Sequence, residues 1–238
     1  MAHLFFLTVY EHNEKIRLGA NSDGGYVFGD NIGGYDCYIS AGVSSEESFS
    51  RDFIKKYAMT KSQCYAFDGT IGDYPYDYTT DITFVKKNIG SEQTDGTTNL
   101  KEYNENYKDI FLKMDIEGGE YPWLESLSET DLLHYKQIVI EFHGINDDSW
   151  NSYYQTKLGC LKKLASTHYL IHPHGNNYAG AQHVLGVVVP NVIELTYIRK
   201  DVLNAPKVNT TLLPIENIDF PNASYAQEIG LNHPPFRF

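Results

Sequence analysis

Asp109-Ile110-Phe111-Leu112-Lys113-Met114-Asp115 runs straight into Ile116-Glu117-Gly118-Gly119-Glu120, and the reading of this stretch decides the fold. Its first half is a short, nearly continuous apolar run, as expected for a strand buried on both faces. Its second half is a glycine turn flanked by carboxylates. Pro122 then suits the first turn of a helix that carries Trp123, Leu124 and Leu127. A strand, a polar turn and a helix in that order make the repeating unit of an α/β domain.

The same unit recurs on either side. Tyr35 to Ser40 reads as a strand that ends at the glycine turn Ala41-Gly42-Val43. In the helix that follows, Ser44 and Glu47 have capping-box spacing, and Phe49, Phe53, Ile54 and Tyr57 fall on one face. Cys64 to Asp68 is a second strand and Asp81 to Val85 a weaker third. Beyond the central run comes a strand from Gln137 to Phe142. A helix follows from about Ser149 to Ala165, with Leu158, Leu161 and Leu164 on its buried side and Asp147 or Asp148 as cap. Two more strands are expected at Tyr169–His172 and Val192–Arg199, with a short apolar piece at Val184–Val189 between them. Short apolar runs alternating with amphipathic ones signal an α/β domain with a mostly parallel sheet. The last 38 residues hold five of the nine prolines and lack periodicity, so residues 201–238 read as an extended tail over one domain spanning 1–238.

Composition narrows the class. At 238 residues, 42% hydrophobic content is ample for a core. No stretch approaches the roughly 20 apolar residues that cross a bilayer. The apolar run Leu4–Tyr10 lacks a basic flank, so a signal peptide is not expected. Three scattered cysteines (Cys37, Cys64, Cys160) suit neither a disulfide framework nor a zinc site, and a cytoplasmic compartment is the expectation. The net charge of −12 repels phosphate backbones and disfavours a nucleic-acid partner.

In open parallel sheets, ligands sit beyond the carboxyl ends of the strands. Here each strand end is polar: Ser40 before Gly42, Asp68, Asp115 with Glu117, and Glu141 with His143. Asp68 follows Gly42 by 26 residues, where a carboxylate can accept hydrogen bonds from both ribose hydroxyls; a helix cap is its competing role. There is neither a Walker motif nor a basic cluster to cradle phosphates, which favours a phosphate-free nucleoside such as adenosylmethionine over a dinucleotide.

The run Phe111 to Glu120 resembles the LKxDxEGxE signature of the FkbM-type methyltransferases. Further segments are similar in the same order: Leu18-Gly19, Ser22 to Tyr26, Ser40 to Val43 with Glu46, Glu47 and Phe49, Ala66 to Thr70, His174 to Asn177, and Pro190 to Tyr197. The resemblance implies a Rossmann-like class I methyltransferase, with a seven-stranded sheet and helices on both faces. It also implies adenosylmethionine as methyl donor and an oxygen acceptor on a sugar or other small metabolite. It makes Asp23 and Gly24 site candidates within an N-terminal segment, residues 1–34, that closes over donor or acceptor. The donor-binding set is then Ser40, Gly42, Asp68, Gly69, Glu117, Asp23 and Gly24. The first turn lacks the Gly-x-Gly of the plain methyltransferase pattern, so the donor's amino-acid end is less defined than its ribose.

Methyl transfer to a sugar hydroxyl needs alignment and a base. His143 is the expected base because imidazole titrates near neutrality, Asp115 is the second candidate, and Glu141 shares the strand parity of His143 and orients it or a metal. Glu117 and Glu120 sit at a helix start, where the dipole favours carboxylates whether or not they meet the donor's amino group. Lys113, in an apolar strand, is expected to pair with one of them. Asp115 and Glu141 are also placed to share magnesium or manganese, joined by His172 or His174. Two other functions fit the residues: a hydrolase or glycosidase using Asp115, Glu117 and Glu120, and a nucleoside-binding protein without catalysis. The acceptor class under the first reading is a sugar, a glycan or a nucleotide-activated sugar.

Overall fold

A strand inside a sheet covered on both sides must be apolar on both faces, and every residue of Ile110–Met114 is buried. The computed structural model describes residues 4–75, 81–145, 152–184 and 186–238. In chain order its first elements are β1 (Lys15–Leu18), β2 (Tyr26–Gly29), β3 (Cys37–Ala41), α1 (Ser48–Tyr57), β4 (Cys64–Phe67), β5 (Thr83–Val85), β6 (Asn88–Ile89) and β7 (Thr97–Thr98). Then come α2 (Lys101–Asn104), β8 (Ile110–Met114), α3 (Glu120–Ser126), α4 (Glu129–Leu132), β9 (Tyr135–His143) and α5 (Ser152–Thr167). The last are β10 (His168–Gly175), β11 (Ala181–Val184), β12 (Val187–Pro190) and β13 (Val192–Arg199).

Seven strands form the main sheet in the order β10-β13-β9-β8-β3-β4-β5. The pairs from β9 to β5 are parallel, while β13 runs antiparallel to both β9 and β10. The sheet is therefore mixed, which corrects the expectation of a mostly parallel one. The reason lies in the connection. From β10 the chain passes through the β11–β12 hairpin instead of a helical crossover, and so returns in the opposite direction.

Each face of the sheet has its own core. On one side Tyr38, Phe111 and Val139 pack with Phe49, Phe53 and Ile54 of α1 and with Tyr26 and Phe28 of β2. On the other, Ile39, Leu112 and Ile140 pack with Trp123 and Leu124 of α3, Leu132 of α4, and Leu161 and Leu164 of α5. The β1–β2 hairpin is pinned to the first face by buried polar contacts. Gln137 bonds both the amide and the carbonyl of Gly29, at 2.9 and 3.0 Å, and Thr196 Oγ1 donates to the Val27 carbonyl at 2.6 Å.

Two helix starts differ from expectation. In α1, Glu47 is the N-cap without a side-chain capping bond, because its carboxylate turns inward. The helix expected from Ser149 is α5, and its proposed caps Asp147 and Asp148 lie outside the described residues. Residues 201–238 carry no regular strand or helix, yet Leu213, Leu231 and Phe236 are among the most buried side chains of the molecule. The three cysteines are free and buried. Among the described residues no helix is long and apolar enough to cross a membrane.

Candidate functional site

The carboxyl ends of β3, β4 and β8 open onto one cleft of about 760 Å³. The first turn makes the opening possible. Gly42 sits at φ +82°, and a Cβ there would meet the carbonyl oxygen of Asp115 at 1.6 Å, so only glycine fits. Its amide donates to Phe67 O, and the Asp115 amide donates to Ala41 O, both at 2.9 Å, which ties the three strand ends together. Two residues that line the cleft, Ser44 (φ 48°) and Glu117 (φ 54°), hold left-handed backbone without being glycine. Strain of that kind collects at functional sites.

Of the expected site residues, Asp23, Gly24, Gly42, Asp68, Asp115 and Glu117 line this cleft. Asp68 is anchored by the chain itself. One of its oxygens accepts from the amides of Val43 and Ser44 at 3.2 and 3.1 Å; the other accepts from the amide and hydroxyl of Thr70 at 2.8 and 2.6 Å. Partial burial works against its charge, but the hydrogen bonds from Thr70, Ser44 and Val43 win and hold the carboxyl below its ordinary range.

Two lining acids, Asp115 and Glu117, meet an imidazole that does not itself line the cleft. His143 Nδ1 meets Glu120 Oε1 at 3.1 Å, and its Nε2 lies 3.3 Å from Glu117 Oε2 and 3.9 Å from Asp115 Oδ1. Glu120 is fully buried, and the same oxygen also accepts from the amides of Gly118 and Ile116, so the glycine turn and the imidazole share one anchor. Burial disfavours the imidazolium, but the bond to Glu120 and the charges of Glu120, Glu141 and Asp115 outweigh it and raise the His143 pKa to about 9. Asp115 Oδ2 accepts from Tyr26 OH at 3.4 Å.

Several expected members lie elsewhere. Ser40 is wholly buried and points to the α1 side, where Glu47 accepts from its hydroxyl at 2.8 Å and from Ser50 and Tyr74 as well. Glu141 is 3% exposed, does not line the cleft, and accepts from Asn176 Nδ2 at 2.9 Å. Burial, and after it the charges of Asp115 and Glu194, push its pKa well above the ordinary carboxylate value. Gly69 leaves the lining to Asn88, whose amide would collide with a Cβ at that glycine. Lys113 does not take the expected carboxylate: its ammonium donates to Gly42 O at 2.8 Å and lies 5.5 Å from the centre of the Tyr26 ring. His172 pairs with Asp219, and His174 lies between Glu194 and Glu228, apart from the cleft.

Sequence reading missed Ile71, Asn88 and Ile89 in the lining, and named Glu46 only within a resembling segment. Asn88 and Ile89 follow the weak third strand, where the position after a strand end was their only available signal. Over residues 10–164 the chain matches a family model described as the methyltransferase FkbM domain. No curated protein sequence matches the chain.

Proposed function

The chain belongs to the FkbM methyltransferase family, and from that premise we propose an adenosylmethionine-dependent O-methyltransferase acting on a hydroxyl of a small sugar or glycan. The observation that carries this reading is the convergence of Gly42, Asp68, Asp115 and Glu117 on one cleft at the ends of three adjacent strands. The cleft suits the donor in size, within the roughly 300–1,000 Å³ of small-molecule sites. It suits it in charge also: Asp23, Glu46, Asp68, Asp115 and Glu117 line it against the single ammonium of Lys113, a setting that favours a sulfonium cation. The same balance favours an uncharged sugar over a nucleotide-activated one.

When bound, adenosylmethionine supplies an activated methyl group: its C–S bond breaks as the C–O bond forms, and the electron pair leaves with sulfur. This chain's residues bind and align the reactants. Asp68 and the Val43–Ser44 turn that it holds form the ribose end, and Ile71, Asn88 and Ile89 form the wall for the base. Asp115, facing the cleft with Oδ2 held by Tyr26, takes the proton of the acceptor hydroxyl. His143 does not line the cleft; Glu120 holds its Nδ1 and its Nε2 faces Glu117 and Asp115, so its part is to position those two acids and not to act as the base.

The test is calorimetric titration with adenosylmethionine, joined to mass spectrometry of small molecules that copurify with the protein. One equivalent is expected to bind, with adenosylhomocysteine in the purified material. Asp68→Ala should weaken binding by about tenfold or more, the loss of charge-assisted hydrogen bonds. No binding at millimolar donor would end the methyltransfer reading, and unchanged affinity in the variant would end the ribose assignment. Of the three carboxylates that the glycosidase alternative would use, Glu120 is fully buried and engaged, which leaves it Asp115 and Glu117.

A further inference from the structure

We infer that Asp115, Glu117 and His143 form a binding site for one divalent cation of the Mn²⁺ type at the acceptor end of the cleft. One carboxylate oxygen from each acid and one imidazole nitrogen all lie within 4.8 Å of one another. The 3.3 and 3.9 Å from Nε2 to Glu117 and Asp115 compare with roughly 3.0–3.4 Å between neighbouring ligands that each stand about 2.1 Å from one ion. Glu117 already stands at this spacing, and the longer pair closes with a shift of about 0.5 Å between Asp115 Oδ1 and Nε2.

The surroundings are those of a ligand set. Fully buried Glu120 engages Nδ1 and thereby turns Nε2 toward the two acids, as carboxylates behind metal-bound histidines do. A second and independent observation comes from the neighbouring strand position. Glu141, 3% exposed, lies one residue beyond the Met114–Ile140 pair, beside Asp115 and on the strand face of His143. Its Oε2 has no hydrogen-bond partner among the described residues. That oxygen is a buried acceptor for a water on the ion. Asp115 Oδ1 is likewise buried and, among the described residues, without a hydrogen-bond partner, while Oδ2 is held by Tyr26. Two carboxylates and one imidazole, with no thiolate, suit manganese or a similar ion with open positions left for oxygen ligands.

In the methyltransfer reading, on which its role but not its existence rests, the ion holds the acceptor hydroxyl and makes it more acidic, and Asp115 Oδ2 takes the proton. The site is tested without donor or acceptor. MnCl₂ is titrated into the purified full-length chain while the electron paramagnetic resonance signal of free Mn²⁺ is followed. One equivalent is expected to bind with a dissociation constant below about 100 μM. Glu117→Gln, at an exposed position that leaves folding intact, should weaken it about tenfold or more, and Glu120→Gln, a positioning change, about tenfold. No Mn²⁺ bound at 1 mM, or equal binding by wild type and Glu117→Gln, would overturn the inference. Donor binding is measured separately, so failure of the metal site leaves the methyltransferase reading standing, and the converse holds too.

Discussion

At the scale of single residues, strand-end chemistry and its immediate partners control the site. Gly42→Ala is expected to abolish donor binding in calorimetry and to lower the thermal midpoint, because the added methyl occupies the position of the Asp115 carbonyl and φ is +82°. His168 gives a pH signature. It is fully buried and bonds Tyr135 O at 2.7 Å, and desolvation lowers its pKa to about 4. Between that value and the unfolded value near 6.5 the unfolded chain binds the extra proton. Stability is then full above about pH 6.5 and falls toward pH 4 by up to roughly 3 kcal/mol. His168→Gln should flatten that slope in denaturant titrations across pH 4–7. That Asp68, Asp115 and Glu117 line the cleft was legible because each ends a strand or follows its turn. Ser40 and Glu141 were not, because the side of the sheet on which a strand-end residue lies open depends on what covers that side.

At the scale of elements, α1 packs its aromatic face against the sheet. Phe53 stacks on Tyr38 at 4.7 Å and meets Phe111 at 4.2 Å between ring centres, all three fully buried. Phe53→Ala should remove about 3–5 kcal/mol of unfolding free energy by chemical denaturation, through lost transfer energy and the cavity left behind. Its helical face was legible from the spacing of Phe49, Phe53 and Ile54. The Ser44–Glu47 capping box was not, since Ser40, Ser50 and Tyr74 compete for the Glu47 carboxylate from other elements. The direction of β13 was equally hidden: its apolar run reads the same either way, and only the route through the hairpin sets it.

At the scale of the whole molecule, the tail belongs to the core it covers. Leu213, Leu231 and Phe236 enter the cluster that holds Trp123 and Leu161, and Asn222 bonds both Glu194 and Asp23 at the cleft. Full burial of such side chains contributes about 1.5–3 kcal/mol each. Removing residues 201–238 should therefore abolish the cooperative thermal transition in calorimetry, not merely loosen the cleft. Retention of a sharp transition would make the tail an appendage.

The sequence by itself determined the strand–turn–helix units and their polar ends, because apolar period and turn chemistry act between near neighbours, and its motifs carried the resemblance to the family. Only the tertiary structure decided that His143 is bracketed by Glu120 and Glu117, that Tyr26 holds Asp115 from 89 residues away, and that Asn222 reaches Asp23 across 199. Those contacts join segments that the chain keeps apart. They exist only once burial on both faces of the sheet has brought the segments together.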